Sequence, residues 1–119
     1  FYTDVLGFIP TYEDVNDDWA RVGLSFGDVV LELFSERRGP HPEPPDPFYV
    51  TPYGRPKIAL TVVDVDAAHR ALGAAGVPVL FPVTTTSVSR FFMVADPDGT
   101  PIQLHELSGG RRRLTELFR

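Results

Sequence analysis

Residues 57–76 read KIALTVVDVDAAHRALGAAG, a strand pattern followed directly by a helix pattern. Apolar residues alternate with other side chains over the first six positions, which is typical of a strand with one buried face. The next apolar residues follow helical spacing, Asp64 or Asp66 can cap the first turn, and Gly76 can end the helix. The stretch therefore predicts a strand over Lys57–Val63 and a helix after it.

Downstream of this helix the sequence alternates again, in three short segments. The predicted strands are Val79–Thr84, Arg90–Ala95 and Pro101–Leu107. The last two flank Asp96-Pro97-Asp98-Gly99, a sequence typical of a type I turn, so they form a hairpin. The order is β-α-β-β-β.

The first third of the chain repeats this order without its opening strand. Phe1–Leu6 resembles the later part of a helix, and Gly7 is a plausible stop. The predicted strands that follow are Thr11–Val15, Ala20–Phe26 and Val29–Ser35. Gly7 and Gly76 mark corresponding helix ends, so we interpret the chain as two βαβββ modules with the first strand absent from this sequence.

Length and composition favour one small globular domain over residues 1–119. We expect a first module at 1–38, a proline-rich linker at 39–56, a second module at 57–108 and a tail at 109–119. The chain has no cysteine and a formal charge of −5, which excludes thiol chemistry and disfavours a nucleic-acid partner. No apolar run is long enough to cross a membrane, and we expect a cytoplasmic protein.

Three stretches together resemble the vicinal oxygen chelate superfamily, which includes glyoxalase I, extradiol dioxygenases and bleomycin-resistance proteins. They are FYTDVLGF at the start, VVDVDAAHRALGAAG at 62–76 and RFFMVADPDGTPIQLHE at 90–106. The resemblance implies an α+β fold in which tandem βαβββ modules form a cup-shaped mixed sheet with helices on its outer face. About 15 residues before Phe1 would complete such a domain.

The resemblance also implies where metal-using members carry their ligands. The first position precedes Phe1, and the second corresponds to Glu32. The third, typically histidine, is Lys57 here, and the fourth, typically glutamate, is Gln103. A protonated lysine has no lone pair, so we expect no metal cofactor. If a divalent metal were present, Glu32, Gln103 and His105 would be its candidate ligands.

Strand alternation places several of these side chains on one face of the sheet. Glu32 and Phe34 share one face of their strand, and Gln103 shares a face with His105. With Lys57 they form the candidate ligand-binding or catalytic set, in which Lys57 is expected to pair with Glu32. Arg90 could also reach an anionic ligand, with a surface ion pair as the alternative.

Three functions remain open from the sequence. The first is a protein that binds a small organic molecule in the sheet cavity, without a metal. The second is an enzyme of the same superfamily, of the lyase, isomerase or dioxygenase type, with an altered metal site or with acid-base chemistry by Lys57, Glu32 and His105. The third is a structural or regulatory partner. We also expect a homodimer, because an incomplete sheet leaves an edge with unpaired backbone groups.

Overall fold

A computed structural model describes residues 1–37 and 56–108 of the chain. These residues fall into two compact units, which are described separately. The predicted linker and tail lie outside the described residues, except for Pro56 at the end of the linker. No helix in the described part of the chain is long and apolar enough to span a membrane.

The first unit is a three-stranded antiparallel sheet in the order β1-β2-β3. Its strands are β1 (Ile9–Val15), β2 (Trp19–Phe26) and β3 (Val29–Glu36). Gly27, at a φ of 59°, makes the tight connection between β2 and β3, a conformation that glycine adopts without a Cβ penalty. All three strands predicted for this module are confirmed, with ends that differ by at most two residues.

The predicted end of a helix at Phe1–Leu6 is wrong in detail, because these residues form turns and no regular helix. The Val5 and Leu6 amides both donate to the Phe1 carbonyl, at 2.9 and 3.2 Å. The Phe8 amide donates to the Tyr2 carbonyl at 2.9 Å, a bond between residues six apart that closes a turn and does not belong to an α-helix. Gly7 follows at a φ of 78° and ends the turn, as predicted.

The second unit is a complete βαβββ module, which confirms the α+β fold class. It contains β4 (Ile58–Thr61), α1 (Val65–Ala74), β5 (Val79–Thr85), β6 (Ser89–Ala95) and β7 (Pro101–Leu107). The sheet order is β4-β7-β6-β5, with β4 parallel to β7 and the other pairs antiparallel. The arrangement of both sheets into a cup stays a prediction.

Helix α1 begins where the sequence places its cap. The Asp64 carboxylate accepts a hydrogen bond from the Ala67 amide at 2.8 Å, which satisfies one of the donors that the first turn leaves unpaired. The Val65 amide donates to the Glu106 carboxylate at 3.0 Å, so β7 also holds the start of the helix. Gly76, at a φ of 73°, reverses the chain after the helix.

One face of the second sheet supplies the core beneath this helix. Its most buried side chains are Val65, Leu72, Phe92, Val94, Ile102 and Leu104. Phe92 is fully buried and meets the His69 ring of α1 edge to face, with 5.0 Å between ring centroids. Because neighbouring residues of a strand point to opposite sides, the other face of β6 and β7 is left for a different role.

The hairpin between β6 and β7 turns at Asp96-Pro97-Asp98-Gly99, as predicted. The Asp96 carboxylate accepts hydrogen bonds from the amides of Asp98 and Thr100, at 3.0 and 2.7 Å. Gly99 takes a φ of 82°, which favours glycine. This turn fixes the register between β6 and β7, which sets Gln103 opposite Met93 and His105 opposite Phe91.

Candidate functional site

The face of the second sheet opposite α1 carries a row of polar side chains, which we call the polar row: Lys57, Thr61, Gln103 and His105. Parallel pairing sets Ala59 opposite Gln103 and Thr61 opposite His105. Residues two apart on one strand point to the same side, so these side chains share a face. The small side chain of Ala59 leaves space beside Gln103.

A continuous set of hydrogen bonds joins the polar row. The Lys57 ammonium donates to the Gln103 side-chain oxygen at 2.9 Å. The Gln103 amide nitrogen lies 3.4 Å from Nδ1 of His105. On the far side of the ring, Nε2 lies 2.9 Å from the Thr61 hydroxyl.

The ammonium group fixes the direction of these hydrogen bonds. Lys57 can only donate, so the oxygen of the Gln103 amide must face it and the NH₂ group must face His105. The NH₂ group in turn can only donate, which makes Nδ1 of His105 the acceptor and leaves the proton on Nε2. Nε2 therefore donates to Thr61, whose own hydroxyl proton is directed away from the ring.

The pKa of His105 is lowered from its ordinary value, first because burial disfavours the charged ring and second because Lys57 is a nearby cation. The imidazole is therefore neutral at pH 7. A neutral ring agrees with the single donor and single acceptor that the hydrogen bonds assign to it.

Beside the polar row lies an apolar strip formed by Phe81, Phe91 and Met93. Phe91 pairs across the strands with His105, and Met93 pairs with Gln103. The rings of Phe81 and Phe91 lie nearly parallel, at 5° and 5.8 Å between centroids. The face thus changes from polar on β4 and β7 to aromatic on β6 and β5.

Thr61 and Phe91 are functional candidates that the sequence analysis did not select. Alternation along β4 puts Thr61 on the same face as Ala59, but such a pattern does not indicate a contact with His105. Alternation also does not decide which of the neighbouring Phe91 and Phe92 rings faces the core. The register settles it, since Phe92 pairs with the buried Leu104 and Phe91 with His105.

The two candidates of the first unit, Glu32 and Phe34, surround Arg21. The guanidinium lies 4.0 Å from the Glu32 carboxylate and 3.3 Å from that of Asp14. It also lies over the rings of Tyr12, Trp19 and Phe34, between 5.4 and 5.9 Å from their centroids. Arg21 is a third residue that the sequence analysis did not select. The expected pairing of Glu32 with Lys57 stays a prediction.

Arg90 lies on the helix side of the second sheet, away from the polar row. Its guanidinium makes a bidentate ion pair with Asp66, with N–O distances of 2.9 and 3.0 Å. The hydrogen bond from Arg90 is the main cause that lowers the pKa of Asp66. The sequence analysis gave a surface ion pair as the alternative to a ligand contact, and the structure has this pair.

The donor atoms of the polar row are poorly arranged for a metal ion. The Gln103 oxygen accepts from Lys57, and Nε2 of His105 carries a proton. Among residues 1–37 and 56–108, no three histidine, aspartate or glutamate side chains are grouped as a metal site would require. A cation would also lie close to the Lys57 charge.

Comparisons with known proteins agree with this architecture. An uncharacterised protein of Escherichia coli K12, YaeR, is 34% identical over 111 residues, which cover 89% of this chain and 82% of that protein. A glyoxalase family protein from Enterococcus faecalis superposes with a TM-score of 0.70 at 25% identity, covering 89% of this chain and 83% of the other.

A third similarity is to TnmS3, an antibiotic binding protein from Streptomyces sp. CB03234. Its TM-score is 0.64 at 24% identity, with 91% of this chain and 82% of that chain covered, which shows a shared fold. The model of one family matches residues 1–104. The chain therefore belongs to the glyoxalase/bleomycin resistance protein/dioxygenase superfamily.

Proposed function

We propose that this protein binds a small organic molecule on the face of its second sheet opposite α1, which we call the open face. We also propose that binding needs no metal ion. The observation that carries the proposal is the polar row beside the apolar strip. A few fixed polar groups next to aromatic side chains are the usual composition of a small-molecule site. Antibiotic binding by the Streptomyces protein of the same fold adds support.

The hydrogen bonds of His105 favour binding over catalysis. A general base needs a lone pair that can reach the proton to be removed. In the polar row, the one lone pair of the neutral ring points to the Gln103 amide, and the protonated nitrogen donates to Thr61. The ring is thus a fixed spacer between two polar side chains, and the enzyme alternative has less support from this geometry.

A titration with the neutral aromatic probe 2-naphthol tests the proposal. We expect saturable changes in the amide NMR signals of Phe91, Met93 and Gln103, and Phe91→Ala should weaken the affinity about tenfold by removing ring contact. Val63→Ala is the matched control, since it truncates an apolar side chain that is 97% exposed outside this face. Treatment with EDTA should leave the affinity unchanged.

Two results would contradict the proposal. Saturable signals confined to other parts of the chain would reject this face as the site. Loss of binding after EDTA treatment, restored by a divalent metal, would reject metal-independent binding.

We further propose that the protein is a cytoplasmic homodimer. Strands β1 and β3 are the edges of the first sheet, and a strand at an edge has unpaired backbone donors and acceptors. Ile9 and Val29 on these strands are 65% and 62% exposed, which favours contact with another chain. Light scattering at micromolar concentration should give twice the monomer mass, and a pure monomer would refute the assembly.

A further inference from the structure

The polar row presents hydrogen-bond donors to a ligand. Lys57 uses one of its three N–H donors on Gln103. Gln103 donates to His105, and His105 donates to Thr61. The Thr61 hydroxyl proton is therefore the donor that remains for a ligand at the other end of the row. Because these two donors lie at opposite ends of the row, a ligand would meet each of them with a separate acceptor.

The charges on this face indicate which kind of acceptor the ligand carries. On the strands of the second sheet, Arg90 and Glu106 point to the helix side, where they contact Asp66 and the Val65 amide. Among the described residues of the second unit, Lys57 is therefore the one charged side chain on the open face. An ammonium favours an anion, and a hydrogen bond assisted by charge is stronger than a neutral one.

The aromatic side chains of the apolar strip indicate which chemical group makes up the rest of the ligand. Phe91 is partly exposed, and its ring is held by the nearly parallel Phe81 ring. The buried Met93 lies two residues along β6 on the same face. A ring fixed in this way offers a flat surface on which another aromatic ring can stack. The Lys57 ammonium is held at Gln103, and Phe91 lies one strand over and two residues along from Gln103, so the backbones of Gln103 and Phe91 are about 8 Å apart.

From these three features we infer that the ligand is a flat aromatic or conjugated carboxylic acid. Its carboxylate would accept from Lys57, and its ring would stack on Phe91. The separation between Gln103 and Phe91 suits a molecule the size of 2-naphthoate. This inference rests on the proposed function, because it names the class of ligand for the same face.

The test compares 2-naphthoate with its neutral counterpart 2-naphthamide at pH 7.5. We expect the carboxylate to bind about tenfold more tightly, because only the carboxylate gains the charge-assisted hydrogen bond. Lys57→Met should remove most of this preference and leave the affinity for the amide nearly unchanged.

Arg70→Met is the matched control, since it removes one positive charge from an exposed position on α1. It should leave the preference for the carboxylate intact. Equal affinity for both probes in the parent protein, or an equal loss in Arg70→Met and Lys57→Met, would overturn the carboxylate inference and leave the proposed function standing. Binding of neither probe to this face would reject the proposed function as well.

Discussion

Phe91 and Phe92 are neighbours in sequence, and we predict that their replacement by alanine has opposite consequences. Phe92 is fully buried between the sheet and α1, whereas Phe91 is partly exposed on the open face. Phe92→Ala should therefore destabilise the fold strongly and affect the ligand site little. Phe91→Ala should weaken ligand binding and cost much less stability.

The magnitude follows from burial. Removing a buried phenylalanine side chain in favour of alanine costs about 3–5 kcal/mol, as lost transfer free energy plus the cavity that remains. Phe92 stands at the upper part of this range, because it is 0% exposed and also loses its edge-to-face contact with His69. For a chain of this length, each kcal/mol lowers Tm by about 4 °C, so a loss of about 4–5 kcal/mol should lower Tm by roughly 16–20 °C.

Thermal unfolding followed by circular dichroism, with urea unfolding as a second measurement, tests the pair. Phe92→Leu is a useful third variant, since it retains part of the apolar volume and should recover part of the lost stability. Equal losses of stability in Phe91→Ala and Phe92→Ala would refute the assignment of the two faces, and with it the placement of the polar row on the open side.

Three further predictions concern the site, the hairpin and the helix end. Because the pKa of His105 is lowered in the folded protein, the unfolded chain takes up a proton first as pH falls below about 6.5, and the free energy of unfolding should fall on acidification. The fall should be less steep in His105→Gln. Urea unfolding midpoints at pH 7.5 and pH 5.5 measure the difference. Asp96→Ala should cost about 1–3 kcal/mol in urea unfolding, because the Asp98 and Thr100 amides lose their acceptor. Gly76→Ala should cost about 1–2 kcal/mol, since Gly76 has a φ of 73° and the space around it is open, so the loss comes from backbone strain alone; unchanged stability would show that the chain relaxes there.

Local sequence was sufficient for the elements of the second module. Alternation located β5, β6 and β7, and Asp64 and Gly76 marked the ends of α1, because caps and strand faces depend on residues close together in the chain. The order of the elements and its partial repeat in the first third followed from the same patterns, and the family resemblance implied how the two modules assemble. The patterns overestimated Phe1–Leu6, which forms turns although its apolar spacing suits a helix.

The sequence also indicated which polar residues share the open face, because alternation fixes the side on which each lies. The family resemblance points to Lys57 and Gln103, and alternation places His105 on the same face as Gln103. What alternation leaves undetermined is the partner of each side chain, since a pairing depends on the register between strands that are far apart in the chain.

The tertiary structure determines the partner of each side chain. The parallel pairing of β4 with β7 brought Thr61 to His105 and Lys57 to Gln103 across more than 40 residues of sequence. The pairing of β6 with β7 places Phe92 in the core and Phe91 at the site. Asp66 on α1 accepts a hydrogen bond from Arg90 on β6. Sequence patterns thus determined the faces, and the long-range register of the sheet decided the contacts, because hydrogen bonds between distant strands form only in the folded chain.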